Sequence, residues 1–347
     1  MKFRFSHIGL VLSIMAAVVS GCALVDENMS DCESDHQLNY ELRLVTNMKT
    51  EIQTQLSMAA DVAVSTALEA QLKNIFRDHA NDVDLSFYDV LTDSVRLHHE
   101  SHIMDATESS YTLYIPVRKY MHLALANVAE NPEVILEQDE KCHTARLSQV
   151  VRDTLESHRT GLFTARLGMD IKEGEDQEFN VHLYMANCAS ALVLDTLGSG
   201  IKDIKVYASG FANAFSIADS VYRFNYTPVI KPEKVSAGDT PGTPLCYTTV
   251  SFPSKDVTGT KATVETDDPF VSDVATEALW KYRIYTTLGD GSVTETILGV
   301  KMPLRPGQVK VIKGLVSNDG SCVPTAPYVG ASVTLNWNEM PGWEVDF

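Results

Sequence analysis

The chain has 347 residues, 44% of them hydrophobic and 21% charged, and a formal net charge of −18 at pH 7. This composition is typical of a folded globular protein, and the length suits about two domains. The acidic balance argues against nucleic acid and anionic lipid headgroups as partners bound by charge, because phosphate groups would be repelled.

The chain opens with the pattern of a bacterial lipoprotein signal. Lys2 and Arg4 precede an uncharged run over residues 8–19, which is too short for a transmembrane helix of roughly twenty residues. The run ends in Val19-Ser20-Gly21-Cys22, a lipobox in which small residues fit the signal peptidase and the Cys22 thiol receives diacylglycerol. We therefore predict that residues 1–21 are removed, and that several acyl chains on Cys22 hold the mature protein on a membrane.

Residues 22–36 are predicted to form the tether that follows the lipid. Asp26 and Glu27 in this stretch resemble the surface-export signals that follow the lipidated cysteine in Bacteroidetes lipoproteins. An ordinary acidic tether is the alternative interpretation. The expected location is the outer membrane, lipid-anchored, with exposure on the cell surface favoured.

The first half of the folded region, residues 37–187, combines one helix with several strands. Residues 55–78 contain no proline or glycine and place apolar side chains at helical spacing, which predicts a helix. From Val83 the period changes to two, and similar alternating segments follow near Tyr111, Met121, Ala165 and Phe179. This alternation indicates an antiparallel sheet with one buried face. A second short helix is expected near residues 147–155.

The second half, residues 188–347, reads as a further series of strands. Alternating segments near Ile201, Tyr247, Tyr282 and Val309 are separated by turn signals, and the segment 331–337 is expected to be the closing strand. The sequence thus predicts an all-β protein with two tandem β-sandwich domains, residues 37–187 and 188–347, with short helical insertions.

Six cysteines occur, at positions 22, 32, 142, 188, 246 and 322. Acylation of Cys22 leaves an odd number, so the remainder cannot all pair within the chain. A disulfide between Cys246 and Cys322 is possible in the second half. Cys188 is better interpreted as a small buried hydrophobe.

The order of these segments resembles the FimB-type fimbrial anchor lipoproteins of Bacteroidales. The points of resemblance are the lipobox, Asp31-Cys32 before the strand Tyr40-Glu41-Leu42, Phe76 before the strand 85–89, the strand 120–127 after a proline turn, Leu162-Phe163, the strand ending at Met185, Pro306-Gly307 before the Val309 strand, and Trp337 on the closing strand. The similarity spans nearly the whole chain. The chain departs from the family in having Arg118 and Lys119 in a turn that usually contains glycine.

This resemblance implies two transthyretin-like β-sandwich domains and a non-enzymatic role. The protein would be an outer-membrane-anchored subunit that anchors or terminates a fimbria. Its partners would be fimbrial stalk subunits and other fimbrial proteins, joined by β-strand addition, together with the lipid membrane reached through the acyl anchor. The first and last strands of the two domains are the candidate acceptor edges.

Catalytic and metal-binding motifs are weak in this sequence, and we expect no enzyme, no cofactor and no metal site. The segment 96–102 contains three histidines, but their spacing matches no known zinc motif, and a solvated strand face is the expected explanation. The fragment 197–200 lacks the strand-turn-helix context of a serine nucleophile. The alternative function is glycan binding at the surface, with Trp280, Trp337 and Trp343 as the candidate stacking residues.

Overall fold

The computed structural model describes residues 35–45, 52, 55–56, 62–77, 79–91, 95–103, 110–138, 141–173, 177–196, 200–236, 243–256, 262–263, 278–325 and 329–336. In the first half these form β1 (Asp35–Val45), α1 (Val62–Ile75), β2 (Asp82–Asp89), β3 (Arg96–Ile103), β4 (Ser110–Pro116), β5 (Lys119–Ala126), β6 (Val134–Glu137), a 3₁₀ turn (Cys142–Thr144), β7 (Arg146–Gln149), β8 (Leu155–Glu156), β9 (Phe163–Asp170) and β10 (Glu178–Met185).

The second half contains strands and no helix among its described residues. They are β11 (Cys188–Thr196), β12 (Ile201–Ser209), β13 (Ala214–Ser216), β14 (Val221–Arg223), β15 (Ile230–Lys231), β16 (Glu233–Val235), β17 (Leu245–Ser251), β18 (Ala262–Thr263), β19 (Trp280–Leu288), β20 (Val293–Val300), β21 (Val309–Val316), β22 (Cys322–Pro324) and β23 (Val329–Asn336). The prediction of an all-β sandwich-type fold is confirmed.

Helix α1 forms where the sequence predicts it. Val64, Leu68, Leu72 and Ile75 recur every three or four residues along one face, and all four are buried. That face joins the core of the first half, and such burial supplies most of the stability of a helix this short.

The strands form four sheets. Sheet 1 has the order β3-β2-β5-β9-β10-β1-β4, sheet 2 the order β16-β17-β11-β21-β22, sheet 3 the order β23-β20-β19-β12-β15-β8, and sheet 4 the order β18-β14-β13-β7-β6. Neighbouring strands are mostly antiparallel, but β1–β10 and β11–β21 pair in parallel over long stretches.

Three apolar clusters hold the sheets together. The first contains residues of sheet 1, α1 and one face of sheet 2; the second joins the other face of sheet 2 to sheet 3; and the third joins the other face of sheet 1 to sheet 4. Strand β11 shows the consequence, because Ala191 faces the first cluster while Leu192 faces the second. Several central strands are therefore buried on both faces, and not on the single face that their alternation predicts.

The segment from 147 to 155 differs from its prediction. The structure has strand β7 and the start of β8 where a short helix was expected. Strand β7 lies between β6 and β13, and β8 pairs with β15. Two of these partners, β13 and β15, are distant in sequence, so tertiary pairing outweighs intrinsic propensity in setting the local structure.

Sheets 3 and 4 both contain strands from each side of residue 187, since β8 pairs with β15 and β7 with β13. The first apolar cluster also contains residues from both sides. The division into domains at 187/188 stays a prediction.

The disulfide considered from the sequence is not formed. Cys246 and Cys322 are both free and buried. Cys246 lies on β17 and Cys322 on β22, with β11 and β21 between them. Three strand spacings of roughly 4.8 Å exceed the Cα separation of about 7 Å that a disulfide can span. Their side chains also belong to different clusters, on opposite faces of sheet 2.

Candidate functional site

The four candidate acceptor strands differ in whether they have an unpaired edge. Strand β1 lies between β10 and β4, β10 lies between β9 and β1, and β11 lies between β17 and β21. Strand β23 pairs only with β20 among the described strands and forms the edge of sheet 3. Of the four candidates, β23 is therefore the strand that can accept a neighbour.

The sequence of β23, Val-Gly-Ala-Ser-Val-Thr-Leu-Asn, alternates apolar with small or polar residues and contains no charge or proline. It pairs with β20 over all eight residues, from Val329↔Val300 to Asn336↔Val293, without a register shift. Natural edge strands are usually shortened, bulged or charged to prevent pairing with another chain. Strand β23 has none of these protections.

Other edge strands show such protection. Strand β3 contains Arg96, Glu100 and several histidines, and its pairing with β2 is shifted between Phe87 and Tyr88. Strands β16, β22, β18 and β8 have only two or three residues each. Strand β4 ends in Pro116. Among the described edge strands, β23 is thus the long one without charge, proline or bulge.

The side chains of β23 follow the strand period. Val329 is buried and Ala331 packs against the second apolar cluster. Val333, opposite Thr296, points to the same side of the sheet but is 45% exposed. The apolar face of β23 therefore continues past the covered core, and an added strand would cover Val333.

The β21–β22 turn supports the strand that β23 pairs with. The Cys322 N–H donates to Thr296 Oγ1 at 3.0 Å, and the Thr294 hydroxyl donates to the Asp319 carbonyl oxygen at 2.6 Å. Gly320 in this turn has φ of +80°, and a Cβ there would lie 2.9 Å from Thr294 Oγ1. The contact between this turn and β20 was not predicted from the sequence, although the Asp319-Gly320 pair is itself a common turn signal.

The other residues singled out from the sequence do not form a site. Cys22, Trp337 and Trp343 lie outside the described residues. Trp280 is fully buried, and its Nε1 donates to the Met302 carbonyl oxygen at 2.8 Å, so it cannot stack on a glycan.

The histidine-rich segment lies on edge strand β3. His98 Nε2 lies 2.5 Å from Glu100 Oε1, and His99 Nε2 lies 2.7 Å from Asp84 Oδ2. In the described part of the chain, no three His, Cys, Asp or Glu side chains converge as metal ligands would. The same residues also contain no helix with the length and hydropathy of a membrane span.

Comparison with known proteins finds similarity in structure but not in sequence. No family model and no curated protein matches the chain. A Bacteroides thetaiotaomicron protein provisionally named an adhesin is 12% identical with a TM-score of 0.51, covering 88% of this chain and 99% of its own.

A second B. thetaiotaomicron structure, provisionally named a polysaccharide-binding protein, is 10% identical with a TM-score of 0.50, covering 85% of this chain and 97% of its own. The fimbrial anchor protein Mfa2 of Porphyromonas gingivalis is 8% identical with a TM-score of 0.48, covering 88% of this chain and all (100%) of its own. The chain thus has the fold of Bacteroides proteins provisionally named for adhesion and polysaccharide binding, and the resemblance seen in the sequence is confirmed at the level of fold.

Proposed function

We propose that this protein is a non-enzymatic, lipid-anchored surface subunit of a fimbria. It joins other fimbrial subunits by accepting a β-strand on the free edge of β23. Cys22 would carry the acyl chains that hold it on the outer membrane. The shared fold with proteins named for adhesion supports this role, and the lipobox supports the location.

The observation that carries the proposal is the unprotected edge of β23. An incoming strand would satisfy its outward N–H and C=O groups, and its alternate side chains would cover Val333 and extend the apolar face. Such an edge otherwise exposes the protein to aggregation. Its retention over eight residues is consistent with a partner strand.

The experiment compares Val333→Lys with Ile135→Lys in the producing bacterium. Ile135 lies on the edge strand β6 of sheet 4 and is 49% exposed, close to the 45% of Val333. The Val333→Lys protein should lose at least about 90% of its high-mass species with fimbrial subunits, because a charged side chain opposes edge pairing. The Ile135→Lys protein should retain them.

Far-UV circular dichroism of both variants controls for folding. Unchanged high-mass species in a folded Val333→Lys protein would contradict the assignment to β23. Deletion of the gene should release or lengthen the filaments, as expected for an anchoring or terminating subunit. A glycan-binding lipoprotein would instead leave filaments unchanged and show oligosaccharide protection of Trp fluorescence.

A further inference from the structure

A second unpaired strand edge lies inside a groove on the opposite side of sheet 3 from β23. Strand β12 pairs with β19 from Ile201 to Ser209. On its other side it pairs with β15 at a single position, Ala208↔Ile230. The stretch between the bulge at Lys202 and Ala208 thus has no strand neighbour on that side among the described residues.

The hydrogen bonds of Ile204 show which way the main-chain N–H and C=O groups of β12 point. Its N–H lies 2.9 Å from Asp203 Oδ1, and its carbonyl oxygen accepts from the Tyr247 hydroxyl at 3.3 Å. Both groups therefore point away from β19, and those of Val206 do so too, because alternate residues of an antiparallel strand face the same side. Side chains thus replace a strand neighbour at Ile204.

Pro232 explains why β15 does not continue along β12. In the antiparallel register set by Ala208↔Ile230, the next hydrogen-bonded pair would be Val206 with Pro232. Proline has no N–H to donate to the Val206 carbonyl, so the ladder stops. The chain then passes to sheet 2 as β16.

The open edge borders a groove of about 910 Å³ between sheet 3, β16 and α1. Ile75, Ile204, Val206 and Tyr247 are buried side chains in its lining. The stretch without a strand neighbour on this side includes residues 203–206 and corresponds to roughly 13 Å of extended chain. The groove thus combines an apolar floor with a strand edge that pairs with side chains at Ile204 and has no strand partner at Val206 among the described residues. These are the two features that a bound strand uses.

The charge of the groove is opposite to that of the whole chain. Its lining contains the four cations Arg159, Lys205, Lys231 and Lys234 and the two carboxylates Glu156 and Glu233. Both carboxylates are engaged, Glu156 with Lys231 and Glu233 with the amide of Gln71. The net positive lining on a protein of charge −18 favours an anionic occupant.

We propose that this groove binds an extended acidic segment of a partner protein as an added strand on β12. Residues of that segment opposite Ile204 and Val206 place apolar side chains toward the floor. The residue opposite Val206 donates its N–H to the Val206 carbonyl oxygen, and the residue opposite Ile204 replaces the Tyr247 hydroxyl as the donor to the Ile204 carbonyl oxygen. Intervening carboxylates lie on the outer side with the exposed Lys205. This site is separate from the β23 edge and does not depend on the function proposed there.

The test uses the full-length lipoprotein in detergent and synthetic eight-residue peptides with alternating Val and Glu, measured by calorimetry. The acidic peptide should bind, and replacing its Glu by Lys should weaken binding at least about tenfold. N-methylation of its Val residues, which removes the N–H groups facing β12, should abolish binding. N-methylation of its Glu residues, which face away, should not.

Protein variants locate the site. Lys205→Glu with Lys234→Glu should weaken binding at least about tenfold, whereas Lys310→Glu on β21 should change it less than twofold. Val206→Pro removes a groove-side N–H without touching the β19 ladder and should reduce binding in a protein with unchanged circular dichroism. The Val333→Lys protein should bind the peptide normally, which separates this site from β23.

Three results would overturn the proposal. The first is equal binding of the acidic and Val-methylated peptides, which would exclude strand pairing. The second is the absence of peptide binding at millimolar concentration. The third is binding of polygalacturonate without binding of the peptide, which would make the groove a site for anionic glycans.

Discussion

Arg118 forms an ion pair with the fully buried carboxylate of Asp89, with Nη1 at 2.7 Å from Oδ2. Asp89 ends β2, and its Oδ1 also accepts the Leu91 N–H at 2.8 Å. Arg118 lies in the turn between β4 and β5, where the lipoproteins that the sequence resembles usually have glycine. The φ of Arg118 is not positive. This turn therefore does not require glycine, and a charged side chain can occupy the position.

Arg118→Ala should therefore destabilise the fold by about 3 kcal/mol, because the buried Asp89 carboxylate would lose its ion pair with Arg118. The measurement is urea unfolding of the mature chain at pH 7. Lys119→Ala, next in sequence, is the matched control: its ion pair with Asp170 is long, at 3.5 Å, and largely exposed, so the expected loss is under about 0.5 kcal/mol. Equal losses for the two variants would contradict this assignment.

The β21–β22 turn allows a second stability test. Gly320→Ala should cost about 2 kcal/mol, because alanine disfavours a φ of +80° and its Cβ would press on Thr294. Gly168→Ala is the control, since Gly168 lies on β9 with nothing within 4 Å of an added Cβ. Thermal unfolding should show a lower midpoint for the first variant and no loss for the second.

Local pattern was sufficient to predict the helix and most strands. Leu68, Leu72 and Ile75 mark α1, and the alternation from Val83 to Phe87 marks β2. Both signals arise because apolar side chains share one buried face, which the sequence encodes directly; the burial of Ser86 and Tyr88 on the other face of β2 is not part of that signal. Strand β7 was missed because its structure depends on β6 and β13, and its four residues contain no pattern of their own.

The candidate sites depend on information that the sequence does not contain. The closing strand was predicted close to its true bounds, but only the order of sheet 3 shows that β23 has a free edge while β1, β10 and β11 do not. The β12 groove was not predicted at all. The residue that indicates the groove is Pro232, because it ends the pairing of β15 with β12. Its role can be recognised only once Ala208 is known to pair with Ile230.

The lipobox gives a prediction that is independent of the fold. Cys22→Ala should leave the circular dichroism and thermal midpoint of the folded region unchanged but release the protein from the membrane fraction, because the predicted acyl chains would be missing. Fractionation followed by immunoblotting measures this. Cys188→Ala, at a fully buried thiol, should leave the protein in the membrane fraction. Continued membrane association of the Cys22→Ala protein would contradict the lipobox interpretation.

Two buried histidines should make stability depend on pH. Burial lowers the pKa of His122 to about 4 and that of His158 to about 3, from an unfolded value of about 6.5. Below pH 6.5 the unfolded chain therefore binds more protons than the folded one. Stability is complete above that pH and falls as the pH drops from 6.5 toward 4.

Between pH 7.5 and 5, each of these histidines should cost about 2 kcal/mol of unfolding free energy. His122 stacks on Phe87 with ring centroids 4.2 Å apart, and its Nδ1–H donates to the Ser86 carbonyl oxygen at 3.0 Å. His122→Gln replaces the imidazole with a donor that does not titrate. The decrease in unfolding free energy from pH 7.5 to pH 5 should therefore be about 2 kcal/mol smaller than in the wild-type protein. Urea unfolding at pH 7.5 and pH 5 measures it. An identical decrease in the wild-type and His122→Gln proteins would show that His122 does not contribute.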